Sequence, residues 1–212
     1  MPTHIYQNKA GQRLPGVTTI IGSNLGWSKG ALMYWAWQEG IEGRNFRDTS
    51  EKAADIGTVA HAMVEADLKE TEFDSSKYDK ELLDKAETAF LAWLEWKDLV
   101  KFEVLESELP LVSEEYGFGG TLDIAAIKNV TSIVDLKTSN GTYPEHLLQI
   151  AAYGQLYNEN REQKIQAYYL LRLGKEDGSF HYHYWPELEF AWISFKHLLE
   201  LHSLHKFLKK AV

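Results

Sequence analysis

The side chains best suited to chemistry stand at the end of a short hydrophobic run, IVDLK, which carries Asp135 and Lys137 two positions apart. On a β-strand such residues share a face, so Asp135 and Lys137 are expected to project together while Leu136 points the other way. The preceding run, GFGGTLD, ends at Asp123, and a hairpin between the two runs would bring both carboxylates together. Adjacent carboxylates repel unless a cation lies between them, and Mg²⁺ or Mn²⁺ prefers oxygen ligands. A lysine there can hold an attacking water and stabilise a phosphoryl oxygen, so the pattern predicts phosphodiester hydrolysis.

A simpler interpretation of the D-x-K pair is also open. Asp135 and Lys137 can form a surface ion pair at a strand end, which would contribute only about 0–1 kcal/mol to stability. The choice depends on whether other residues of the chain converge on the same place.

The elements that must position these residues are recognisable from hydrophobic periodicity. Apolar residues at helical spacing predict a helical N-terminal third, with Ser28 and Ser50 as candidate caps of the first two helices and a third helix from about Asp79 to Val100. Alternation of period two then predicts strands, followed by a helix and two more strands. The predicted strands cover 102–112, 117–128, 131–139, 164–174 and 180–185, and the helix between the third and fourth covers 144–160.

This order of elements predicts an α/β (α+β) fold with a central mixed sheet flanked by helices and extra helices at the N-terminus. We expect one domain over residues 1–212, with a mainly helical part over 1–100, a sheet core over 101–185 and a C-terminal helix over 186–212. A chain of 212 residues that is 44% hydrophobic is long enough to bury one sizeable core.

Composition excludes several classes of function. The chain has no cysteine, which excludes disulfides, thiolate zinc sites and iron–sulfur clusters. The net charge of −9 argues against a passive nucleic-acid coat but is compatible with a metal-dependent nuclease. No G-x-x-x-x-G-K-[ST] loop is present, so no nucleotide cofactor is expected. No signal-like or membrane-spanning run is recognisable, and a cytoplasmic protein of a bacterial or phage-infected cell with no membrane partner is the expectation. His181 and His183 share a strand face without an acidic motif, which favours a structural role.

Four motifs occur in the order found in one nuclease superfamily. They are a histidine in GTVAHAMVE, the G-x-x-D of GFGGTLD, the D-x-K of IVDLKTS and the Q-x-x-x-Y of QIAAY. Together they resemble the PD-(D/E)XK nuclease superfamily, in particular its RecB-like branch, and LPGVTTII and LMYWAW resemble its small phage-type exonucleases. The resemblance implies a restriction-endonuclease-like core of helix, three strands, helix and strand.

The resemblance also implies roles for individual residues. Asp123, Asp135 and Lys137 would be catalytic. The metal ligands would be His61, Asp123, Asp135 and the backbone carbonyl of Leu136. Gln149 and Tyr153, one helical turn apart, would contact the substrate.

Further side chains are candidates for the same site. Glu65 follows His61 by four residues and so shares its helix face, where it can hold a second metal or orient the histidine. Glu106 and Glu108 are expected to point alike from their strand, and Glu108 is a candidate ligand for a second metal. Solvated helix and strand faces explain these glutamates equally well. Thr138 is a candidate substrate contact, or simply a hydroxyl at the start of a loop.

The function predicted from these patterns is a DNA nuclease that uses one or two Mg²⁺ or Mn²⁺ ions. The resemblance favours an exonuclease on linear or single-stranded DNA ends in phage or cellular recombination, repair or replication. Its partners would be DNA and a recombinase, a single-strand-binding protein or a helicase. The alternatives are a structure-specific endonuclease of the same fold and a non-catalytic nucleic-acid-binding module.

Overall fold

The structure is a computed structural model that describes residues 4–211, and these residues form six α-helices and a five-stranded sheet. The helices are α1 Val17–Asn24, α2 Lys29–Ile41, α3 Phe46–Leu68, α4 Lys80–Val100, α5 Pro144–Asn160 and α6 Glu189–Lys210. The strands are β1 Glu103–Ser113, β2 Phe118–Ile127, β3 Thr131–Lys137, β4 Ala167–Leu173 and β5 Phe180–Trp185. The predicted sequence of helix, three strands, helix and strand is confirmed. Within 4–211, no helix is long and apolar enough to cross a bilayer.

Helix starts were predicted with mixed success. The helix predicted from about Asp79 does start there as α4, and the Asp79 carboxylate caps it by accepting a hydrogen bond from the Leu82 amide at 2.9 Å. The proposed cap at Ser50 is wrong. The helix already begins at Phe46, where the Asn45 side chain accepts from the Arg47 amide at 3.1 Å.

The strands lie in the spatial order β1-β2-β3-β4-β5, with β3 and β4 parallel and the other neighbours antiparallel. A parallel pair requires a crossover connection, and α5 supplies it. One hydrophobic cluster fills the space between the sheet and α1, α5 and α6, and a second lies between the sheet and α3 and α4. The sheet is therefore covered by helices on both faces.

The helix α3 is fixed in place by its packing against α4. Trp93 and Trp96 of α4 are fully buried, and the Trp93 indole N–H donates to Asp67 of α3 at 2.8 Å. The Lys97 ammonium donates to the same carboxylate oxygen at 2.8 Å. These contacts hold the face of α3 that carries His61 against the sheet.

The sheet divides where β2 and β3 separate. The two strands pair only from Ile124 opposite Val134 to Ile127 opposite Thr131. Beyond that point the N-terminal segment takes the place of β3, since Gly16 bridges Gly119 and the Gly119 amide donates to the Pro15 carbonyl at 3.0 Å. The fork leaves a gap between strands at the height of Asp123.

Candidate active site

Asp123 lies in the fork between β2 and β3. Its Oδ2 accepts a hydrogen bond from the Leu136 amide of β3 at 2.7 Å, so a side chain replaces the ladder bond that the diverging strands no longer make. Its Oδ1 lies 3.6 Å from Nδ1 of His61 on α3. The predicted approach of the two strands, with Asp123 turned towards β3, is confirmed.

Asp135 and Lys137 form a buried pair. The Asp135 side chain is 0% exposed, and the Lys137 Nζ lies 2.5 Å from its Oδ2. The contact is poorly aligned, and among residues 4–211 neither oxygen of Asp135 has a hydrogen-bond partner of acceptable geometry. The surface ion pair considered for these residues is therefore wrong.

Burial sets the charge of Asp135. Desolvation raises the pKa of its carboxyl to about 6, and the Lys137 ammonium opposes this while the Asp123 carboxylate adds to it. The two acids are thus close enough to repel each other. A cation near them would relieve the repulsion.

Three ligand atoms converge next to this pair. One nitrogen of His61 and one oxygen each of Glu108 and Asp123 lie within 4.8 Å of one another. Glu108 reaches the group from β1, which shifts register between Val104 and Glu106, and Glu108 itself has a φ of +47°. The irregular backbone directs Glu108 towards α3.

The expectation that Glu106 and Glu108 point alike is wrong for the same reason. Glu106 accepts hydrogen bonds from the Arg161 guanidinium at the end of α5, the shortest being 2.9 Å. The regular alternation of side chains requires extended backbone, which Glu108 with its φ of +47° does not have. Only Glu108 of the two faces the site.

The electrostatics of the group follow from its burial. Desolvation raises the pKa of Glu108 to about 7, and repulsion from the Asp123 carboxylate acts in the same direction. Burial also disfavours ionisation of Asp123, but His61, Lys137 and the Leu136 amide together lower the pKa of Asp123 below its ordinary value. For His61, burial is outweighed by the Asp123 carboxylate, which raises the pKa of the imidazole. The neighbouring positive groups therefore do not offset the burial of Glu108 and Asp135 and their repulsion by Asp123, and the pKa values of both stay raised.

This donor set fits a hard divalent cation. Two carboxylates and an imidazole are ligands of Mg²⁺ and Mn²⁺, and the buried His61 Nδ1 has no hydrogen-bond partner within the described chain. Asp135 lies outside the group of three, and Glu65 at the cleft wall pairs with Lys69. Glu108 thus belongs with the predicted ligands more closely than Glu65 does.

Gln149 and Tyr153 of α5 face the same cleft. The Gln149 amide donates to the Tyr153 hydroxyl at 2.7 Å, and desolvation raises the pKa of Tyr153 well above its ordinary value, so the phenol stays neutral. Thr138 lies elsewhere. It packs beside Gly57 of α3 and lines a separate cavity of about 340 Å³, which touches His61 and Lys137 from the other side.

The cleft that contains these side chains has a volume of about 1010 Å³. One wall is a face of α3, and the opposite wall is the N-terminal segment, which sequence reasoning did not place at the site. Tyr6 packs over Gly119 and its hydroxyl lies 3.0 Å from the Thr121 hydroxyl, while Arg13 also lines the cleft. The only sequence signal for this wall was the resemblance of LPGVTTII to phage-type relatives.

Comparison with known proteins gives a likeness of fold. No protein-family model matches the chain, and its sequence matches no curated protein. A provisionally named exonuclease from Eubacterium rectale has a similar structure, with a TM-score of 0.51 and 12% identity over 73% of this chain and 65% of that one. LHK-Exo in complex with dAMP gives a TM-score of 0.45 with 13% identity, covering 76% and 90%. The alkaline exonuclease LHK-Exo from Laribacter hongkongensis gives 0.38 with 14% identity, covering 76% and 91%.

The first of these structures decides the fold class. A five-stranded mixed sheet flanked by six helices confirms the predicted restriction-endonuclease-like fold. Fold alone does not determine chemistry, which depends on the side chains of the site.

Proposed function

We propose that this chain is a metal-dependent deoxyribonuclease of the PD-(D/E)XK superfamily that degrades DNA from an end. The observation that carries the proposal is the convergence of Asp123, His61 and Glu108 beside the buried pair of Asp135 and Lys137. The designation of the structural neighbours as exonucleases supports the same reaction class.

We assign His61, Asp123 and Glu108 as side chains that hold Mg²⁺ or Mn²⁺, with Asp135 and the Leu136 carbonyl as further ligands. Such an ion would supply Lewis-acid polarisation of a phosphate and a lowered pKa for a bound water. Asp135 suits the role because its two oxygens are buried and lack aligned hydrogen bonds. Ligation by a carboxylate that the fold has already desolvated adds little further desolvation cost.

Lys137 is assigned to the attacking water and the transition state. Its ammonium lies against Asp135 and lines the cleft, so it is held in one place by the charge of its neighbour. A fixed cation beside the scissile phosphate holds the nucleophile and stabilises the negative charge that develops on the phosphoryl oxygens. Removing the Lys137 ammonium should therefore raise the free energy of the transition state more than it weakens the binding of substrate.

The substrate would enter between α3 and the N-terminal segment. Gln149, whose amide is fixed by Tyr153, and Arg13 on the opposite wall are suited to phosphate oxygens, since both present N–H donors to the cleft. A cleft open between two walls admits a strand end. The exonuclease assignment rests on this shape and on the resemblance.

The test is cleavage of end-labelled linear DNA, single- and double-stranded, beside a covalently closed circle, in Mg²⁺, Mn²⁺ or EDTA. Asp123→Asn and Lys137→Ala are compared with Glu106→Gln, which changes a carboxylate on the same strand as Glu108 but outside the cleft. We expect loss of linear DNA only, requiring metal, reduced at least about 10³-fold in the first two variants and unchanged in the third.

The other outcomes select the alternatives. Cleavage of the circle replaces the exonuclease by an endonuclease with the same site. Binding of DNA without cleavage in either metal replaces the enzyme by a binding module. Cleavage that survives in Asp123→Asn contradicts the assigned site.

A further inference from the structure

A row of basic side chains leads away from the candidate active site across three strands. Lys137 of β3 is directly opposite Arg172 of β4, and Arg172 is directly opposite His181 of β5. Directly opposed residues of adjacent strands project from the same face, here the face covered by α5. With strands about 4.8 Å apart, the row spans about 10 Å from Lys137 to His181.

Arg172 in this row has no anionic partner. It is half-buried, and within residues 4–211 no carboxylate lies within 4 Å of its guanidinium and it donates no hydrogen bond. Asp177 is near enough for Arg172 to lower its pKa, but that carboxylate accepts from the Ser179 amide at 3.1 Å and hydroxyl at 2.9 Å. A half-buried guanidinium without a carboxylate partner keeps its N–H donors available for an anion that enters from solvent.

A groove of about 540 Å³ surrounds Arg172. One side of the groove is the loop 140–142, which follows soon after the end of β3 at Lys137. The other side is the edge strand β5, where the side chains of His181 and His183 are exposed. The groove therefore lies beside β3, with Arg172 one strand away from Lys137. Its donors are the guanidinium, two imidazoles and the Asn140 amide.

We propose that this groove binds the phosphodiester backbone of the DNA strand next to the phosphate being cut. Arg172 would clamp one phosphate in bidentate fashion, and His181 would donate a hydrogen bond to the next. The row from Lys137 through Arg172 to His181 extends about 10 Å, so it would follow the backbone of one strand across consecutive phosphates. In a chain of charge −9, an unpaired arginine here concentrates the positive charge that DNA needs.

This inference rests on the proposed nuclease function and adds the path of the strand to it. The histidines, which the sequence suggested were structural, acquire a role because the fold places them beside Arg172 and in line with Lys137. A groove with the same hydrogen-bond donors but no candidate active site beside it would give no reason to propose DNA as its ligand.

The test measures binding of a fluorescein-labelled single-stranded oligonucleotide by anisotropy at several salt concentrations, in an Asp123→Asn background that prevents cleavage. Arg172→Gln is compared with Arg161→Gln, which changes the charge by the same amount at the far end of α5. We expect about fivefold to tenfold weaker binding for Arg172→Gln and a slope of log K against log salt that is smaller by about 0.7. Arg161→Gln should match the parent.

Two further variants separate a contact with phosphate from an effect on folding. Arg172→Lys keeps the charge and should keep the salt slope while losing part of the affinity. His181→Glu, at an exposed position, introduces a negative charge without disturbing the core and should weaken binding about tenfold.

Three results decide the proposal. Affinity and slope equal to the parent in both Arg172→Gln and His181→Glu overturn the groove, and metal-dependent cleavage by the unmodified protein then leaves the nuclease assignment standing. A loss of affinity in Arg172→Gln with an unchanged salt slope also overturns it, because the removal of this charge would then have removed no phosphate contact. Failure of the unmodified protein both to bind and to cut DNA overturns both proposals.

Discussion

Replacing Glu108 by glutamine is expected to stabilise the metal-free protein at pH 8 and to leave its stability nearly unchanged near pH 5. The change removes one negative charge from a buried cluster that includes Asp123, and it keeps the size and shape of the side chain. The direction is unusual, because most substitutions at a buried polar site destabilise. It follows from the raised pKa of the glutamate.

The magnitude follows from linkage between protonation and folding. The carboxyl of Glu108 has an ordinary pKa of 4.5, which the unfolded chain retains, and a pKa of about 7 in the folded protein. The folded state holds this proton more tightly than the unfolded state does. The favourable contribution of the protonated Glu108 to folding stability is therefore complete below pH 4.5 and is lost as the pH rises through 7. The difference corresponds to about 3 kcal/mol at full ionisation. Because Glu108 is half-buried and water screens it, we expect about 1–2 kcal/mol at pH 8.

The assay is thermal unfolding in EDTA at pH 5, 6, 7 and 8, with Glu106→Gln as the matched control on the same strand. A chain of this length should gain about 3–6 °C at pH 8 for the predicted stabilisation. Glu106→Gln weakens the partly exposed ion pair with Arg161 and should cost about 0–1 kcal/mol at every pH in the neutral range.

Adding Mn²⁺ should reverse the order of stability at pH 8, so that the unmodified protein melts at a higher temperature than Glu108→Gln. A cation that binds only the folded state stabilises it in proportion to its affinity, and the variant has lost one of the converging ligand atoms. If Glu108→Gln gives the same change in melting temperature at pH 5 and pH 8 in EDTA, the pKa of Glu108 is not raised in the folded protein. Equal Mn²⁺ stabilisation of both proteins would remove Glu108 from the ligand set.

Three other predictions concern the same region. Lys137→Met should destabilise the protein by about 3 kcal/mol at pH 8, because it leaves the buried Asp135 charge alone, and adding Asp135→Asn should recover most of that loss in urea unfolding. Gly119→Ala should lower the free energy of unfolding by about 1–3 kcal/mol, because a methyl group there would collide with the Tyr6 ring. Gly22→Ala inside α1, which has open space around it, should raise the free energy of unfolding by about 0.5–1 kcal/mol. Equal melting temperatures for the two variants would contradict the packing of the N-terminal segment. Removing divalent metal with EDTA should abolish cleavage, and Mg²⁺ or Mn²⁺ should restore it; cleavage that persists in EDTA would contradict the proposed metal dependence.

Much of the fold could be predicted because its signals are local. The alternation in FEVLESELPLV and the helical spacing in PEHLLQIAAYGQLYNEN depend on residues close in sequence, and both elements lie where they were expected. The cap of α3 could not be chosen in this way, because Asn45 and Ser50 are both residues that favour caps. The helix α1 was not predicted, since an eight-residue element offers too few turns for a clear period.

The sequence by itself determined the order of elements and the positions of the acids, the lysine and the histidine that converge at the site. Only the tertiary structure decided that Asp135 is buried, that Glu108 rather than Glu106 enters the site, and that Tyr6 forms a wall against Thr121, 115 residues away. Strand divergence, a register shift and segment packing depend on contacts between residues distant in the chain. No local pattern of residue types encodes them, because their free energy exists only once the partners have met.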